Sequence, residues 1–502
     1  MIARKSTLII STRIIESILA YISLFFITRH MGPEAYGVIG FAMGFVGLFS
    51  FLGTLGFDSA HIKRVSEGKN LGSCIGTFLL TKIGLVSLMS VVTISAVFFW
   101  KIVMGRGFES SEHELAIFII LGYYILQNIS TIFQSTFKAE TKIAKDELSR
   151  FTGTFFRTVA IIFVALSGLG AIALALAYVF GHLFLFITSF LFFRGYPINK
   201  PTKDYFKDYA SFAWPLVIMS AATLIMTNLD KVLIQLFWSD EHVGYYFASY
   251  RISSLIVLAG SSIGMILFPR ISDFYSTRDM NSIKNMLKRS QRYISMFSFP
   301  IVMGLTVLAE PFIHILMSDA FYPAIPIFMI LPFFAMLHAL SIPYQSQFLG
   351  MDRPKIVRNI IVFMLVCNVI LNIILIPEDI KIIGVKLFGL GATGAAIATV
   401  VSYFLGFILY KYASWKYIKV KRDFSMLLHL SAAVIMAFIL FGINSIILID
   451  RWYILVAAGL FGLCIYFAIL YLFKEFTKDD FYFVLDTINV KKMIKYIKRE
   501  LK

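Results

Sequence analysis

The feature that most constrains this chain is a succession of fourteen apolar runs, each about long enough to cross a bilayer. A membrane-spanning helix needs about 20 mostly apolar residues. Runs of that order fall near 8 to 28, 36 to 58, 74 to 98, 114 to 137, 151 to 167, 170 to 193, 209 to 229, 243 to 268, 293 to 316, 323 to 349, 358 to 376, 389 to 411, 425 to 448 and 452 to 473. Lipid supplies no partner for a backbone amide, so such runs fold as helices. The expectation is an all-α polytopic membrane protein with about 14 transmembrane helices. With 59% of the 502 residues hydrophobic and 15% charged, no large soluble domain is left over.

Charge tests that reading, because Lys and Arg collect in cytoplasmic loops. With the N-terminus inside, the inner segments hold 35 basic residues and the outer segments 7, and the remaining four (Arg13, Lys82, Arg157 and Arg251) lie within spans. Most of the net charge of +17 is therefore topology, which removes the support for nucleic-acid binding. Both termini are expected in the cytoplasm of a cell bearing the protein in its plasma membrane. Arg4 and Lys5 open a run that is too long for a signal peptide and lacks a small-residue cleavage site, so it reads as a retained first span. Cys74, Cys367 and Cys464 sit in apolar runs without CxxC spacing, which argues against a disulfide framework or a metal site.

The chain also resembles itself. Glu34-Ala35-Tyr36-Gly37 opens the second span as Glu241-His242-Val243-Gly244 opens the eighth. Gln134-Ser135-Thr136-Phe137 ends the fourth as Gln345-Ser346-Gln347-Phe348 ends the tenth, and Ala171-Ile172-Ala173 with Tyr178 and Gly181 matches Ala396-Ile397-Ala398 with Tyr403 and Gly406. A repeat of six spans keeps both copies in the same orientation, so two six-helix lobes with a cleft between them are expected. The corresponding domains are an N-lobe over 1–200, a C-lobe over 201–420, two extra helices over 421–473 and a basic cytoplasmic tail over 474–502.

Charged groups within spans are costly and usually face a watery cavity or a partner. Arg13, Lys82, Arg157 and Arg251 are the basic candidates for binding an anionic substrate; snorkelling to the inner interface is the competing reading for Arg13, Lys82 and Arg157. The amides Gln127, Asn128, Asn228, Gln345, Asn368 and Asn372 join that set, with interhelical hydrogen bonding as the plainer explanation. Basic and amide groups together suit a phosphate or diphosphate. Glu16, Asp58 and Asp230 are the acids placed to couple a cycle to H⁺ or Na⁺, and Glu16 lies on one helix face with Arg13. No metal site or organic cofactor is expected.

Several literal motifs carry no chemistry. Gly389-Leu390-Gly391-Ala392-Thr393-Gly394 matches GxGxxG but follows no strand of a βαβ unit, and Gly260-Ser261-Ser262-Ile263-Gly264 lies inside a span, where close helix packing explains it. Gly37, Gly40, Gly44 and Gly47 read as a packing face. In the tail, Ile494, Ile497 and Leu501 share a helical face among lysines, a pattern suited to an anionic lipid surface or to a solvated tail.

The segment Arg29-His30-Met31-Gly32-Pro33-Glu34-Ala35-Tyr36-Gly37 resembles the R-x-LGPExYG segment of polysaccharide-transporter (Wzx-like) flippases in the multidrug/oligosaccharidyl-lipid/polysaccharide exporter superfamily. Leu267-Phe268-Pro269-Arg270, Leu349-Gly350-Met351-Asp352-Arg353-Pro354-Lys355 and Gly394-Ala395-Ala396-Ile397-Ala398-Thr399 resemble later blocks of the same family. The resemblance implies two six-helix lobes in a V that open alternately inward and outward, plus two C-terminal helices. It implies movement of a polyprenyl-diphosphate-linked oligosaccharide to the outer leaflet, with Arg13 and Arg251 the nearest counterparts of diphosphate-binding arginines. The implied partners are that lipid-linked glycan, membrane lipids and the glycan-assembly machinery, and the implied state is a monomer without enzymatic activity. A multidrug antiporter of the same superfamily shares the fold but is expected to hold its cation on unpaired deep acids. A membrane glycan polymerase or glycosyltransferase is expected to carry a larger outer loop than this chain has.

Overall fold

The computed structural model describes residues 2–102, 111–380, 385–419 and 424–476, with the side chains of 2–11, 215 and 259 excepted. Its α-helices are α1 (Ile2–His30), α2 (Gly32–Phe49), α3 (Phe57–Ser66), α4 (Leu71–Ile102), α5 (Ser111–Ala139), α6 (Ile143–Leu166), α7 (Ala171–Phe193) and α8 (Lys203–Phe237). They continue as α9 (Asp240–Ser253), α10 (Ile256–Ser276), α11 (Met280–Val307), α12 (Ala309–Leu316), α13 (Ile325–Gly350), α14 (Pro354–Leu375), α15 (Gly391–Ile418), α16 (Ser425–Ile446) and α17 (Trp452–Leu472). A two-residue antiparallel hairpin, β1 (Asp379–Ile380) against β2 (Val385–Lys386), joins α14 to α15.

Among the described residues, 12 helical segments are long and apolar enough to cross a membrane, or 13 if α11 and α12, bent by 74° at their junction, form one broken span. The fourteen expected runs fall on helical segments, but that near 36 to 58 runs on past α2 into α3 and that near 293 to 316 covers both α11 and α12, and α1 does not meet the same criterion, so the described residues give a smaller count than the 14 spans expected. Large apolar side chains point outward: Val91 and Phe98 of α4, Phe163 of α6 and Phe438 of α16 are each more than half exposed. A water-soluble fold does not leave patches of that extent uncovered; lipid is the solvent that removes their cost. The basic tail falls outside the described residues.

The chain divides into two compact units, the first running to Gln235 and the second starting at Leu236. The sequence places the start of the second lobe at 201, whereas α8 clusters with the first unit. The reason is packing: Tyr209 and Ala213 of α8 enter the aromatic core of Phe57, Phe78, Phe133, Phe137 and Phe193. In the second unit, Leu267, Ile271, Ile283, Leu287, Met351 and Ile418 form a core between α10, α11 and the ends of α13 and α15. There the Gly260 to Gly264 stretch packs as expected, since a Cβ on Gly260 would stand 2.7 Å from the Ala339 Cα. Arg292 of α11 bonds Glu475 at 2.7 Å and ties the end of α17 to α11.

Candidate functional site

The first buried polar cluster is built by the break that follows α2. The helix tightens into a 3₁₀ turn at Ser50–Gly53, and Gly56, at φ 78°, lets the chain re-enter a helix with Asp58 in the first turn of α3. A helix end leaves carbonyls without intrahelical partners, and Lys82 of α4 takes one of them. Its Nζ donates to the Gly53 carbonyl at 2.9 Å and to Asn128 Oδ1 at 3.2 Å, and lies 2.8 Å from Asp58 Oδ1. Lys82 is fully buried, while the Asp58 side chain keeps 26% of its exposure. The sequence assigned Lys82 to the anion-binding set or to snorkelling; the structure instead commits its ammonium to Asp58, Asn128 and a backbone carbonyl. A buried lysine needs its countercharge, so both partners serve Lys82 first.

A second cluster joins α1 to α6. Glu16 does not bond its helix neighbour Arg13; its Oε1 lies 3.6 Å from Arg150 Nε on α6. Asp146 and Glu147, one turn earlier, are only 2% and 3% exposed. Asp146 meets Lys138 of α5 at 3.6 Å, and Glu147 has Arg13, Arg150, Asp146 and Glu16 within electrostatic reach. Among the described residues, Arg13 Nε, Glu16 Oε1, Asp146 Oδ1, Glu147 Oε2 and Arg150 Nε have no hydrogen-bond partner despite their burial. Further along α6, Arg157 packs its Cβ against Gly181 and its guanidinium over the Tyr178 ring at 5.8 Å.

The glycine face of α2 receives α8. A Cβ on Gly47 would stand 2.7 Å from Asn228 Cγ, and one on Gly44 would stand 2.9 Å from Lys231 Cβ. Lys231 donates to Asn228 Oδ1 at 2.8 Å, and Asp230 beside them is 1% exposed. Asn228 is thus buried at a helix contact, but its amide is satisfied within α8, donating to the Leu224 carbonyl at 2.8 Å and accepting from Lys231. Gln127 of α5 is half-buried.

Below these clusters His61 of α3 is fully buried and stacked on Phe78. The Thr136 hydroxyl donates to the Ile132 carbonyl at 2.8 Å, which leaves it to accept from His61 Nε2–H at 2.9 Å. Nδ1 is then the acceptor for the Tyr209 hydroxyl, also at 2.9 Å. Burial pushes the imidazole pKa down to about 3.

In the second unit, Asn368 and Asn372 share a face of α14, as their spacing predicts, and both are fully buried. Asn372 donates to Asn368 Oδ1 at 3.1 Å, Asn368 donates to Thr399 Oγ1 at 3.4 Å, and the Tyr246 hydroxyl closes the group at 3.5 Å from Thr399. Gln345 is half-buried on α13, while its neighbour Gln347 is fully buried and accepts from Ser414 at 2.7 Å. Arg251 is exposed on α9, with its guanidinium 5.5 Å from the Phe247 ring centre. Among the described residues, no three His, Cys, Asp or Glu side chains are arranged to hold a metal ion.

A profile of the family described as polysaccharide biosynthesis protein matches residues 26–326, more than half of the chain. The chain belongs to this family. That family agrees with the resemblance of the sequence to polysaccharide-transporter proteins. One relative, the probable low-salt glycan biosynthesis flippase Agl15 of Haloferax volcanii, is 22% identical over 482 residues, covering 96% of this chain and 98% of its own. Among solved structures, the lipid II flippase MurJ in an inward closed conformation aligns with a TM-score of 0.74 at 16% identity, over 92% of this chain and 97% of that one. An inward-facing multidrug resistance MATE family transporter aligns with a TM-score of 0.64 at 16% identity, over 81% and 96%. Both structural likenesses concern the fold.

Within this family fold, the sequence reading missed Asp146, Glu147 and Arg150, because it placed them in an inner loop ending at the span near 151. The helix in fact begins at Ile143. A signal was present: Asp146 and Arg150 stand at i and i+4, and Arg157 extends the same face by two turns.

Proposed function

We propose that the protein moves a polyprenyl-diphosphate-linked oligosaccharide from the inner to the outer leaflet, for cell-surface polysaccharide or glycoprotein assembly. The observation that carries the reading is similarity running nearly end to end with a relative named as a glycan biosynthesis flippase. Alternating access through a basic cavity is the mechanism. Arg13 receives the diphosphate at the inner side, its Nε being buried without a partner among the described residues, and Arg251 holds it at a later stage. Arginine suits that task, since its planar fork matches phosphate oxygens. Arg157, Gln127 and Gln345 contact the glycan headgroup. Lys82 and Asn128 serve the integrity of the first unit, and Asn228, Asn368 and Asn372 serve helix packing first.

The protein catalyses no covalent step; it works as a monomer in the plasma membrane with both termini in the cytoplasm, beside the glycan-assembly machinery. An H⁺ or Na⁺ gradient drives the cycle through a buried carboxylate, since a carboxylate that changes occupancy between two access states couples them. The test is leaflet-to-leaflet movement of a fluorescent polyprenyl-diphosphate oligosaccharide in proteoliposomes, wild type against Arg13→Ala and Arg251→Ala. Protein-dependent movement that both variants lose while still folded supports the reading. No movement with several glycans, alongside gradient-driven efflux of organic cations, replaces it with a multidrug antiporter, a reading favoured by the fold likeness to a MATE family transporter.

A further inference from the structure

We propose that Asp146 and Glu147 of α6, with Glu16 of α1, form a proton-binding site that couples this protein to a proton gradient. The inference rests on the flippase reading for what is coupled, but the proton site stands on the geometry of the first unit alone. Asp146 and Glu147 are adjacent in sequence and almost wholly buried. Each has a carboxylate oxygen with no hydrogen-bond donor among the described residues, as does Glu16. A buried carboxylate oxygen without a donor is costly. A proton on Glu147 or Asp146 removes a buried negative charge, and with it the larger part of that cost.

The surroundings choose the ion. Arg13 from α1 and Arg150 within α6 act on both carboxylates and Lys138 from α5 on Asp146, and His182 of α7 lies within reach of Arg150. Lys145 of α6 is turned away, donating to the Phe192 carbonyl at 3.0 Å. Two arginines and a lysine repel a sodium ion, and no metal-holding arrangement exists there among the described residues. A proton needs neither a coordination shell nor space. Three carboxylates facing Arg13 and Arg150 also explain the coupling: with all three ionised, Arg13 is held by the cluster, and a bound proton weakens that hold and frees the guanidinium for the diphosphate. The proton enters as a positive charge at the carboxyl and leaves from the same oxygen; no other bond changes.

Two readouts separate this site from the flippase reading. Infrared difference spectra of the purified protein across a pH series will show a carboxylic C=O band that shifts in D₂O, lost in Glu147→Gln and Asp146→Asn and restored in Glu147→Asp. In proteoliposomes, an imposed pH gradient will stimulate movement of the fluorescent lipid-linked oligosaccharide by wild type, and Glu147→Gln will lose that stimulation. Absence of the band in wild type, or its survival in both Glu147→Gln and Asp146→Asn, overturns the proposal whatever the transport result. Stimulation by a sodium gradient and not by a pH gradient also overturns it. A titrating band that depends on Asp146 and Glu147, in a protein that moves no lipid-linked glycan, supports the proton site and removes the flippase reading instead.

Discussion

Replacing Asp58 by Asn will destabilise the protein far more than replacing Lys82 by Met, although the two residues share one ion pair. The asymmetry follows from burial. Lys82 is fully buried and bonds Asp58, the Gly53 carbonyl and Asn128, whereas Asp58 keeps 26% of its side-chain exposure and a distant contact at 3.5 Å from the Thr131 hydroxyl. Removing the carboxylate charge strands an ammonium among neutral acceptors with no route to water, a loss of about 3 to 5 kcal/mol. Removing the ammonium leaves Asp58 free to take water and leaves two neutral acceptors short of a donor, a loss of about 1 to 2 kcal/mol. The double variant has no stranded charge, so it will resemble Lys82→Met, and the cycle will give a coupling energy equal to the Asp58→Asn loss, about 3 to 5 kcal/mol, at or above the upper end for contacting neighbours. The assay is reversible unfolding of the four proteins in one bicelle composition. Equal losses for the two single variants, or an additive double variant, would refute the account of Lys82 as a cation bound within the first unit.

Further expectations follow from the same packing. A Cβ on Gly76 would lie 1.8 Å from the Asn199 carbonyl oxygen of the α7–α8 connector, so Gly76→Ala will displace that connector and lower thermal stability, by an amount above the usual overpacking loss of about 1 to 3 kcal/mol. Gly47→Ala will clash with Asn228, and Asn228→Ala will recover part of the loss; thermal denaturation of the three variants checks both. His61, with a folded pKa of about 3 against an ordinary 6.5, stays neutral while the unfolded chain protonates. Its contribution is therefore intact above pH about 6.5 and is lost progressively as pH falls towards 3. A melting-temperature series between pH 7 and 5 will fall less steeply in His61→Asn than in wild type.

Much of the fold was legible because the bilayer leaves a sequence few options. Runs of spanning length had to become helices, and the expected runs do fall on helical segments, although the breaks after α2, α9 and α11 were not foreseen. Period and spacing also placed Asn368 with Asn372 and marked Gly44 and Gly47 as a packing face. What escaped was pairing across helices. Glu16 and Arg13 share a face, yet Arg150, 134 positions further on, takes the Glu16 carboxylate, and no local pattern encodes which helix lies opposite. Lys82 was legible as a deep charge, but its commitment to the Gly53 carbonyl depends on a helix break 29 residues earlier in another element. The boundary at 235 rather than 200 has the same origin, since the aromatic contacts of Tyr209 decide where α8 belongs.

The most direct test of the central claim is the movement of a fluorescent polyprenyl-diphosphate oligosaccharide across proteoliposomes by wild type, Arg13→Ala and Arg251→Ala, with each protein's fold verified by its melting temperature. The account predicts transfer that requires the protein and is lost in both folded variants. Transfer unaffected by either substitution would contradict the role of the arginines, and no transfer of any lipid-linked glycan by the wild type would contradict the function itself.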